Sequence, residues 1–362
     1  MIKADNLFHI ISNTSKKCIE CRLCLKECAF LRKYGSPKSI ADAYENMSGL
    51  NSVVAFECSL CGLCAAVCPV GVRPDKMFLE IRRNACHAGT GHFPEHSGIL
   101  NYEKRGTSKR YTGYALPENC DTVFFPGCTL SGTRPDKVKR LFEHMKKTIP
   151  GLGIVLDCCI KPSHDLGRLY FFEETFGNMR ARLIGKGVRN ILVACPSCYR
   201  TFADHGGELS VKTIYEVLLE TVLPETGSVS GSVVVHDPCA VRFETAIHQA
   251  VRKLVESRGL TVSEMMHHGN KTLCCGEGGS VGFVSRELAA NWRSIRKNEA
   301  AGQHMITYCA GCANTLHIIT PVCHILDLLF EPHAALSGKV RRYRAPLTYW
   351  NRIRLKHWVK RL

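Results

Sequence analysis

The sequence predicts an α/β protein in which an α-helical N-terminal module precedes two tandem α/β domains. Three observations lead to this prediction. A five-cysteine pattern occurs twice, with matched cysteines 111, 116, 114 and 114 residues apart, which indicates an internal duplication. Short apolar runs alternate with amphipathic segments through both copies, as strands and helices do. Eight further cysteines precede the duplication, in a segment of helical composition.

We expect the chain to divide into five segments. Gly89 to Gly113 is rich in Gly, Ser, Thr and charge and has little periodicity, which is typical of a linker. The predicted segments are an N-terminal module (1–95), a linker (96–119), a first repeat (120–226), a second repeat (227–335) and a basic C-terminal tail (336–362).

The cysteines of the N-terminal module form the motif C-x2-C-x2-C-x3-C twice, the second time followed by Pro69. Three thiolates at this spacing wrap one corner of a 4Fe–4S cube, while the fourth is too close to join that cube and ligates the other one. A zinc site would instead require paired C-x2-C knuckles. The predicted ligands are Cys18, Cys21, Cys24 and Cys68 for the first cubane and Cys58, Cys61, Cys64 and Cys28 for the second.

This module resembles a dicluster ferredoxin. Ala29 stands where the ferredoxin pattern usually has proline, a change that weakens local rigidity and removes no ligand. Helices are predicted at Ser39 to Met47, between the two motifs, and at Met77 to Cys86, after the second.

In each repeat the predicted strands run into the cysteines. The first repeat has strands at Thr122–Phe125, Gly153–Leu156 and Asn190–Ala194 and helices at Pro135–Lys147 and Leu166–Ile184. The second has strands at Ser232–Val235 and His304–Tyr308, helices at Glu244–Ser257 and Ser285–Ala300, and a run Thr272-Leu273 that leads into Cys274. The cysteines should therefore lie at the carboxyl ends of strands, where open α/β sheets place their sites.

The duplicated pattern supplies five sulfurs, one more than a tetrahedral zinc or a cubane cluster needs. The first five-cysteine site is Cys128, Cys158, Cys159, Cys195 and Cys198, and the second five-cysteine site is Cys239, Cys274, Cys275, Cys309 and Cys312. The pattern resembles the CCG domain of the heterodisulfide reductase catalytic subunit and its relatives. That resemblance, which covers roughly residues 15–325, implies that one or both sets bind a non-cubane 4Fe–4S cluster through five thiolates.

The two copies match this family unequally. The second has Cys274-Cys275-Gly276, and a glycine beside the pair lets the backbone approach a cluster closely. The first has Ile160 at that place, where we expect crowding and an altered cluster; a cubane or a weakly bound site is the alternative. His236 has two interpretations, as a residue that contacts or protonates the cluster and as a structural partner of Asp237.

Composition restricts the remaining possibilities. The formal charge is +16, but nine cations lie between Lys339 and Leu362, and two cubanes at about −2 and two five-thiolate clusters at about −3 would bring residues 1–338 near −3. A nucleic-acid-binding body is therefore disfavoured. The 21 cysteines, with no apparent export signal, favour a reducing, cytoplasmic compartment, and Cys86, Cys120 and Cys323 are expected to be buried thiols.

The tail combines its nine cations with Tyr349, Trp350 and Trp358, and between Arg352 and Lys356 its polarity alternates as in a strand. We expect it to be a solvated tail that becomes ordered on the body or on a partner. The alternative is peripheral contact with an anionic membrane surface, on the cytoplasmic face.

The resemblance implies an oxidoreductase subunit. In the heterodisulfide reductase D type, two non-cubane clusters face each other and each accepts one sulfur of a disulfide. The alternative is the iron–sulfur subunit of a flavin-dependent glycolate, lactate or glycerol-3-phosphate dehydrogenase that delivers electrons to quinone. The expected partners are a flavoprotein, a cytochrome or a hydrogenase-type subunit, because the chain has no organic-cofactor motif of its own. We assign the chemistry to the second five-cysteine site.

Overall fold

The protein is described by a computed structural model that covers residues 4–45 and 52–362. The predicted fold class is confirmed: a helical N-terminal module precedes two sheets built largely from parallel strands. Helix α1 packs along α4 and α6 around Ile11, Phe30 and Phe78. Met47, the predicted end of the helix that starts near Ser39, lies outside the described residues. The helices of this module are α1 (Ala4–Lys17), α2 (Leu23–Glu27), α3 (Ala29–Tyr34), α4 (Pro37–Glu45), α5 (Leu63–Ala66) and α6 (Pro74–His87).

The two cysteine motifs of this module have the same backbone turn. Glu20 and Leu60, one residue before the second cysteine of each motif, have φ angles of 51° and 49°. Arg22 and Gly62, one residue after it, have φ angles of 61° and 71°. Left-handed residues on both sides of the second cysteine curl each motif around one point, which is the geometry that three ligands of one metal group require.

The segment predicted to be a linker is folded. It contains helix α7 (Ser97–Gly106) and strand β1 (Gly113–Ala115), which pairs antiparallel with the strand Gly153–Leu156 of the first repeat. The helix is held by a buried carboxylate, because Glu103 is 1% exposed and accepts hydrogen bonds from the backbone and side chain of Ser163. Such a polar anchor leaves no apolar periodicity in the sequence, so the prediction of a linker is wrong here.

The first repeat forms a sheet of order β1-β3-β2-β4-β5 in which every pairing except that of β1 is parallel. The helix predicted at Leu166–Ile184 begins three residues later, at Leu169, and a short helix that was not predicted precedes it. The remaining elements are β2 (Thr122–Phe125), α8 (Cys128–Thr133), α9 (Pro135–Lys146), β3 (Gly153–Leu156), α10 (Lys161–Asp165), α11 (Leu169–Gly185), β4 (Asn190–Val193), α12 (Pro196–His205), β5 (Ser210–Thr213) and α13 (Ile214–Leu219).

The second repeat forms a parallel sheet of order β7-β6-β8-β9. Numbered from the first strand of each repeat, this is the order of β3-β2-β4-β5, so the duplication inferred from cysteine spacing extends to the topology. Its elements are β6 (Gly231–His236), α14 (Thr245–Glu256), β7 (Leu260–Ser263), α15 (Val281–Val284), α16 (Arg286–Ala300), β8 (His304–Thr307), α17 (Ala310–Leu316), β9 (Val322–His324), α18 (Ile325–Phe330) and α19 (Pro332–Leu336).

The repeats share one apolar core, in which Phe124 and Leu141 of the first join Val251 and Leu328 of the second. A buried ion pair also crosses between them, from Arg134 Nε to Asp327 Oδ2 at 2.8 Å. Because apolar and ionic contacts are buried together, the two sheets form one rigid body.

The end of the basic tail is a helix, α20 (Leu347–Val359), that packs against α8 and β1. It buries Leu355 and Val359 together with the polar Asn351, whose side chain donates to the Gly132 carbonyl at 2.9 Å. The strand-like alternation predicted there is wrong, whereas the expected ordering on the body is observed. Polar residues on the buried face break the apolar stripe by which a helix is recognised.

One buried arginine joins all three modules. Arg82 of α6 is fully buried and donates to the carbonyls of Ala55 and Cys58 in its own module. Its Nη1 donates to Asp165 O of the first repeat at 2.7 Å and to Gly279 O of the second at 2.8 Å. The N-terminal module is thereby fixed against both repeats.

Candidate metal centres

The eight cysteines of the N-terminal module lie around two recesses. The crossed pairing expected from the sequence matches the way the chain brings them together, with Cys64 reaching the edge of the first recess as well. Their role as cluster ligands stays a prediction. The first recess is lined by Cys18, Cys21, Cys24 and Cys68, and the second by Cys28, Cys58, Cys61 and Cys64.

The two recesses differ in burial. Cys21 is exposed and stands beside Ile19, which is 62% exposed. The second recess lies under Leu288 and Trp292 of the second repeat. Burial raises the pKa of Cys61 to about 12, so a thiolate there requires a nearby cation to be stable. A cubane, whose irons supply that charge, suits these donors.

Backbone N–H groups also point at the sulfurs. Leu60 N lies 3.4 Å from Cys58 Sγ, and Val72 N lies 3.3 Å from Cys68 Sγ. N–H donors of this kind stabilise thiolates that ligate iron, so the backbone suits charged sulfur at both recesses.

Each five-cysteine set comes together as one group. In the first repeat the thiol of Cys158 contacts Cys128, and that of Cys198 contacts both Cys159 and Cys195. The thiol contacts in the second repeat run in order through Cys239, Cys274, Cys275, Cys312 and Cys309. The five neighbouring sulfurs of each repeat form the donor set that the sequence predicted, and their assignment as ligands stays a prediction.

The two sets meet each other. The thiol of Cys195 contacts that of Cys309, although the two residues belong to different repeats. Beside them the Tyr215 hydroxyl donates to Ala194 O at 2.6 Å and to Tyr308 O at 2.9 Å. One buried hydroxyl thus fixes the residues that precede both cysteines.

Strands and helix starts position most of these cysteines. Cys195 and Cys309 follow β4 and β8 and are the N-cap residues of α12 and α17, so the backbone N–H groups at each helix start are available to their thiolates. Ser197 and Cys198 provide such N–H donors to Cys195.

The pair Cys274-Cys275 departs from this arrangement, because β7 ends at Ser263, well before the pair. Asp237 organises the intervening loop. Its carboxylate accepts from Gly269 N at 2.7 Å and from the Tyr308 hydroxyl at 3.0 Å, and its carbonyl accepts from the Thr272 hydroxyl at 2.8 Å.

The position after each cysteine pair is left-handed in both repeats. Gly276 has a φ of 94°, and a β-carbon on it would lie 2.6 Å from Ala289 O, so glycine is required there. Ile160 has a φ of 58° but is 1% exposed within an apolar cluster that includes Phe172. The side chain of Ile160 packs into this apolar cluster at the cost of a left-handed backbone, of order 1–3 kcal/mol, and the altered cluster predicted beside it stays a prediction.

His236 is not the partner of Asp237. Asp237 pairs with Arg252, with Nη2 to Oδ2 at 2.9 Å. The ring nitrogens of His236 are buried and have no hydrogen-bond partner in the part of the chain that the structure describes. Instead, a ring nitrogen of His236 and the Sγ atoms of Cys275 and Cys312 all lie within 4.8 Å of one another. The structure therefore favours the interpretation in which His236 contacts the metal group.

Sequence reasoning missed Glu277 as a site residue. Desolvation raises its pKa to about 7, and the thiolates of Cys195 and Cys274 add to this effect. Glu277 has exposed surface, yet its carboxylate lies so close to Gly311 that a β-carbon there would overlap it. Its charged neighbours come from both five-cysteine sites, so its carboxylate lies near the place where the two sites meet.

A cavity of about 570 Å³ lies where the three modules meet. Cys61, Ser197 and Cys239 line it, so it reaches the second recess and the second five-cysteine site and comes next to the first site at Ser197, between Cys195 and Cys198. The charged residues in its wall are the cationic Arg73, Lys76, Arg83, Lys161, Arg200 and Arg242 and the acidic Asp75, Glu80, Asp165 and Asp204.

Comparison with known protein families agrees with this arrangement. Residues 14–72 match the model of the 4Fe-4S dicluster domain, and residues 122–203 and 233–317 match that of the CCG cysteine-rich domain. The resemblance stated from the motifs is therefore confirmed.

Similar proteins are redox enzymes or their subunits. The B subunit of fumarate reductase (CoM/CoB) from Methanothermobacter marburgensis is 27% identical over 83% of this chain and 67% of its own length. The D subunit of dihydromethanophenazine:CoB–CoM heterodisulfide reductase from Methanosarcina mazei is 22% identical over 67% of this chain and 66% of its own. EtfAB:quinone oxidoreductase of Syntrophomonas wolfei is 22% identical over 66% of this chain and 38% of its own. The chain thus spans about two thirds of the length of the first two.

Among the residues that the structure describes, no helix combines the length and the apolar character needed to cross a bilayer.

Proposed function

Starting from a chain that carries a 4Fe–4S dicluster domain and two CCG cysteine-rich domains, we propose that it transfers electrons through two cubanes to the paired five-cysteine sites, where a disulfide is reduced. When bound, the clusters would supply one-electron redox chemistry and an iron that accepts sulfur. Reduction of a disulfide consumes two electrons and two protons and releases two thiols.

The contact between Cys195 and Cys309 is the observation that carries this proposal. The contact brings the two sulfur-rich sites together at the boundary between the repeats, so that the two sulfur atoms of one disulfide can each approach a different site. A protein that only relays electrons has no need for two such sites face to face. Glu277, which lies between them, is positioned to hold a proton for a departing thiolate.

The order of the centres supports a path into the second repeat. The first recess, which contains the exposed Cys21, shares Cys64 with the second recess. The second recess adjoins the second five-cysteine site, because Cys28 and Cys61 both interact electrostatically with Cys274. Electrons that enter near Cys21 would therefore reach the second site before the first.

The walls of the cavity where the three modules meet favour a polar substrate. Six cationic and four acidic side chains line it, an excess of positive charge that suits a disulfide bearing anionic groups. A quinone, which presents an apolar ring, would desolvate these charges without offering them a hydrogen-bond or ionic partner.

Electron delivery to quinone is the second candidate. It is favoured by the similarity to EtfAB:quinone oxidoreductase. In this case the five-cysteine sites would be the last centres of a relay to a partner subunit.

Anaerobically purified protein should contain about sixteen irons per chain if all four centres are 4Fe–4S clusters. Replacing Cys21 or Cys61 by serine should remove one cubane and leave the repeats loaded. The function is then tested with a reduced viologen as donor and either an anionic disulfide or a short-chain quinone as acceptor. Disulfide reduction supports the first proposal, and turnover with quinone alone supports the second. Stoichiometric zinc, or an iron content near four, would contradict both.

A further inference from the structure

The first five-cysteine site has a buried cation that comes from outside its repeat. Arg352 lies on α20, and it is 3% exposed. Its guanidinium stacks near Tyr102 at 5.4 Å and Tyr111 at 5.2 Å, measured to the ring centres. Its Nη2 lies 3.3 Å from Gly106 O, and a β-carbon built on Gly106 would lie 3.6 Å from Cys158 Cβ. The charged group is therefore held directly beside the cysteines.

Part of this guanidinium has no protein partner. Nη1 of Arg352 is buried and makes no hydrogen bond in the part of the chain that the structure describes. A buried donor left unpaired costs on the order of 1–3 kcal/mol, so its retention indicates an interaction that the polypeptide alone does not provide. The cysteines that Arg352 influences electrostatically are Cys128 and Cys158 of the first site.

The second site obtains its cation differently. Arg296 of α16 is buried and interacts electrostatically with Cys275 and Cys312, and its Nε also lacks a partner among the described residues. The residue 114 positions earlier, at the repeat spacing of the C-x2-C cysteines, is Arg182 of α11. Arg182 is exposed and lies over the Tyr114 ring at 3.8 Å. At this position the first repeat therefore has an exposed arginine, where the second has a buried one.

We propose that Arg352 serves as the buried cation of the first repeat: it is a positioning residue that places a fixed positive charge beside the first five-cysteine site and raises the reduction potential of the group bound there. This inference rests on the proposal that the site holds an iron–sulfur cluster, but not on the identity of the substrate. Reduction adds one negative charge, which a nearby cation stabilises, and net charge is one of the factors that set cluster potentials. The C-terminal helix would thus give the first site the fixed positive charge that Arg296 gives to the second.

The test compares three variants of the full-length protein, loaded with iron. Arg352→Gln removes the charge, Arg352→Lys retains it without the planar fork, and Arg354→Gln removes an exposed charge from the same helix as a matched control. Iron content is measured first, and then the potential of each five-cysteine site by a redox titration followed by electron paramagnetic resonance. No substrate is added.

We expect Arg352→Gln to move the potential of the first site to more negative values and to leave the second unchanged. Arg352→Lys should stay near the wild-type potential, and Arg354→Gln should have no effect. The proposal is overturned if Arg352→Gln keeps the wild-type potential with full iron. It is also overturned if Arg352→Lys shifts the potential as far as Arg352→Gln does, because Arg352 would then act through ring stacking and its Gly106 hydrogen bond and not through its charge. A first site that binds no iron even in the wild type would instead refute the cluster assignment on which the inference rests.

Discussion

The two five-cysteine sites have the same strand order and the same donor set, but their surroundings differ. The second is organised from within, by the Asp237 loop, the required Gly276 and the internal Arg296. The first has Ile160 in a left-handed conformation, and its buried cation is Arg352 of α20. Duplication thus fixed where the sulfurs lie, while the charge and the strain around them diverged. Two equivalent scaffolds can in this way hold two groups with different redox properties.

The largest expected effect comes from removing one thiolate in each repeat. Cys275→Ser should abolish electron delivery and disulfide reduction, because the second site lies next to the second recess and would receive its electrons first. Cys159→Ser should leave partial electron transfer. The measurement is viologen-driven turnover, together with the paramagnetic signal of oxidised protein after addition of a thiol. Should that signal persist in Cys275→Ser and disappear in Cys159→Ser, the two sites would have the opposite roles.

Deleting the C-terminal helix should affect the first repeat alone. The sequence by itself predicts that removal of the tail after Lys339 spares the clusters and weakens binding to a membrane or an acidic partner. Because α20 packs on α8, which begins at Cys128, we expect truncation to lower iron content by about four per chain, the iron of one cluster. Unchanged iron, with reduced binding to anionic vesicles, would favour the prediction made from the sequence.

The residue after each cysteine pair provides a matched comparison. Gly276→Ala should remove iron from the second site, since its β-carbon would meet Ala289 O at 2.6 Å. Ile160→Gly should retain first-site iron but destabilise the fold by about 2 kcal/mol, because roughly 2–5 kcal/mol of lost burial exceeds the 1–3 kcal/mol of relieved strain. Urea midpoints and iron content measure both. A more stable Ile160→Gly protein would show that relief of strain outweighs the lost burial.

Tyr215 connects the two sites, and its hydroxyl can be removed with little change of shape. Tyr215→Phe leaves the carbonyls of Ala194 and Tyr308 without their buried donor, which should cost about 1–3 kcal/mol. We expect a lower urea midpoint for the repeats and a weaker magnetic interaction between the two sites. Tyr170→Phe, at an exposed tyrosine of the same repeat, is the control.

The smallest effect concerns pH. Burial is the main cause that lowers the pKa of His205 in the first repeat from 6.5 to about 4, with the facing His164 adding to it. The unfolded chain therefore binds a proton below pH 6.5 that the folded chain does not, and stability falls as pH drops from 6.5 towards 4, by no more than about 1.4 kcal/mol per pH unit. His205→Phe should flatten the dependence of the urea midpoint between pH 7 and 5, whereas the exposed His357→Gln should not.

The sequence predicts those parts of the fold in which burial is continuous. Runs such as Thr122–Phe125 and His304–Thr307 are buried along most of their length and precede a cysteine, so they are recognisable. Strand β5 escapes prediction because Ser210 and Lys212 are exposed, and α20 because Asn351 and Arg352 occupy its buried face.

The candidate site is predicted unevenly for a similar reason. Cysteine spacing is set by local geometry, so the five-cysteine sets are recognisable in the sequence. Glu277, His236 and Arg352 acquire their roles from neighbours that are mostly distant in the sequence, or from burial without a partner among the described residues. Such relations leave no periodic pattern in a single sequence.

Arg82 has a consequence for how electrons travel. Its four hydrogen bonds reach three modules, and each bond from a charged group contributes about 1.5–3 kcal/mol, so swinging the N-terminal module away would break several of them at once. Many redox proteins carry a mobile domain that shuttles between donor and acceptor. In this molecule the module is instead fixed in place, and its internal transfer rate should depend on tunnelling distance and not on solvent viscosity.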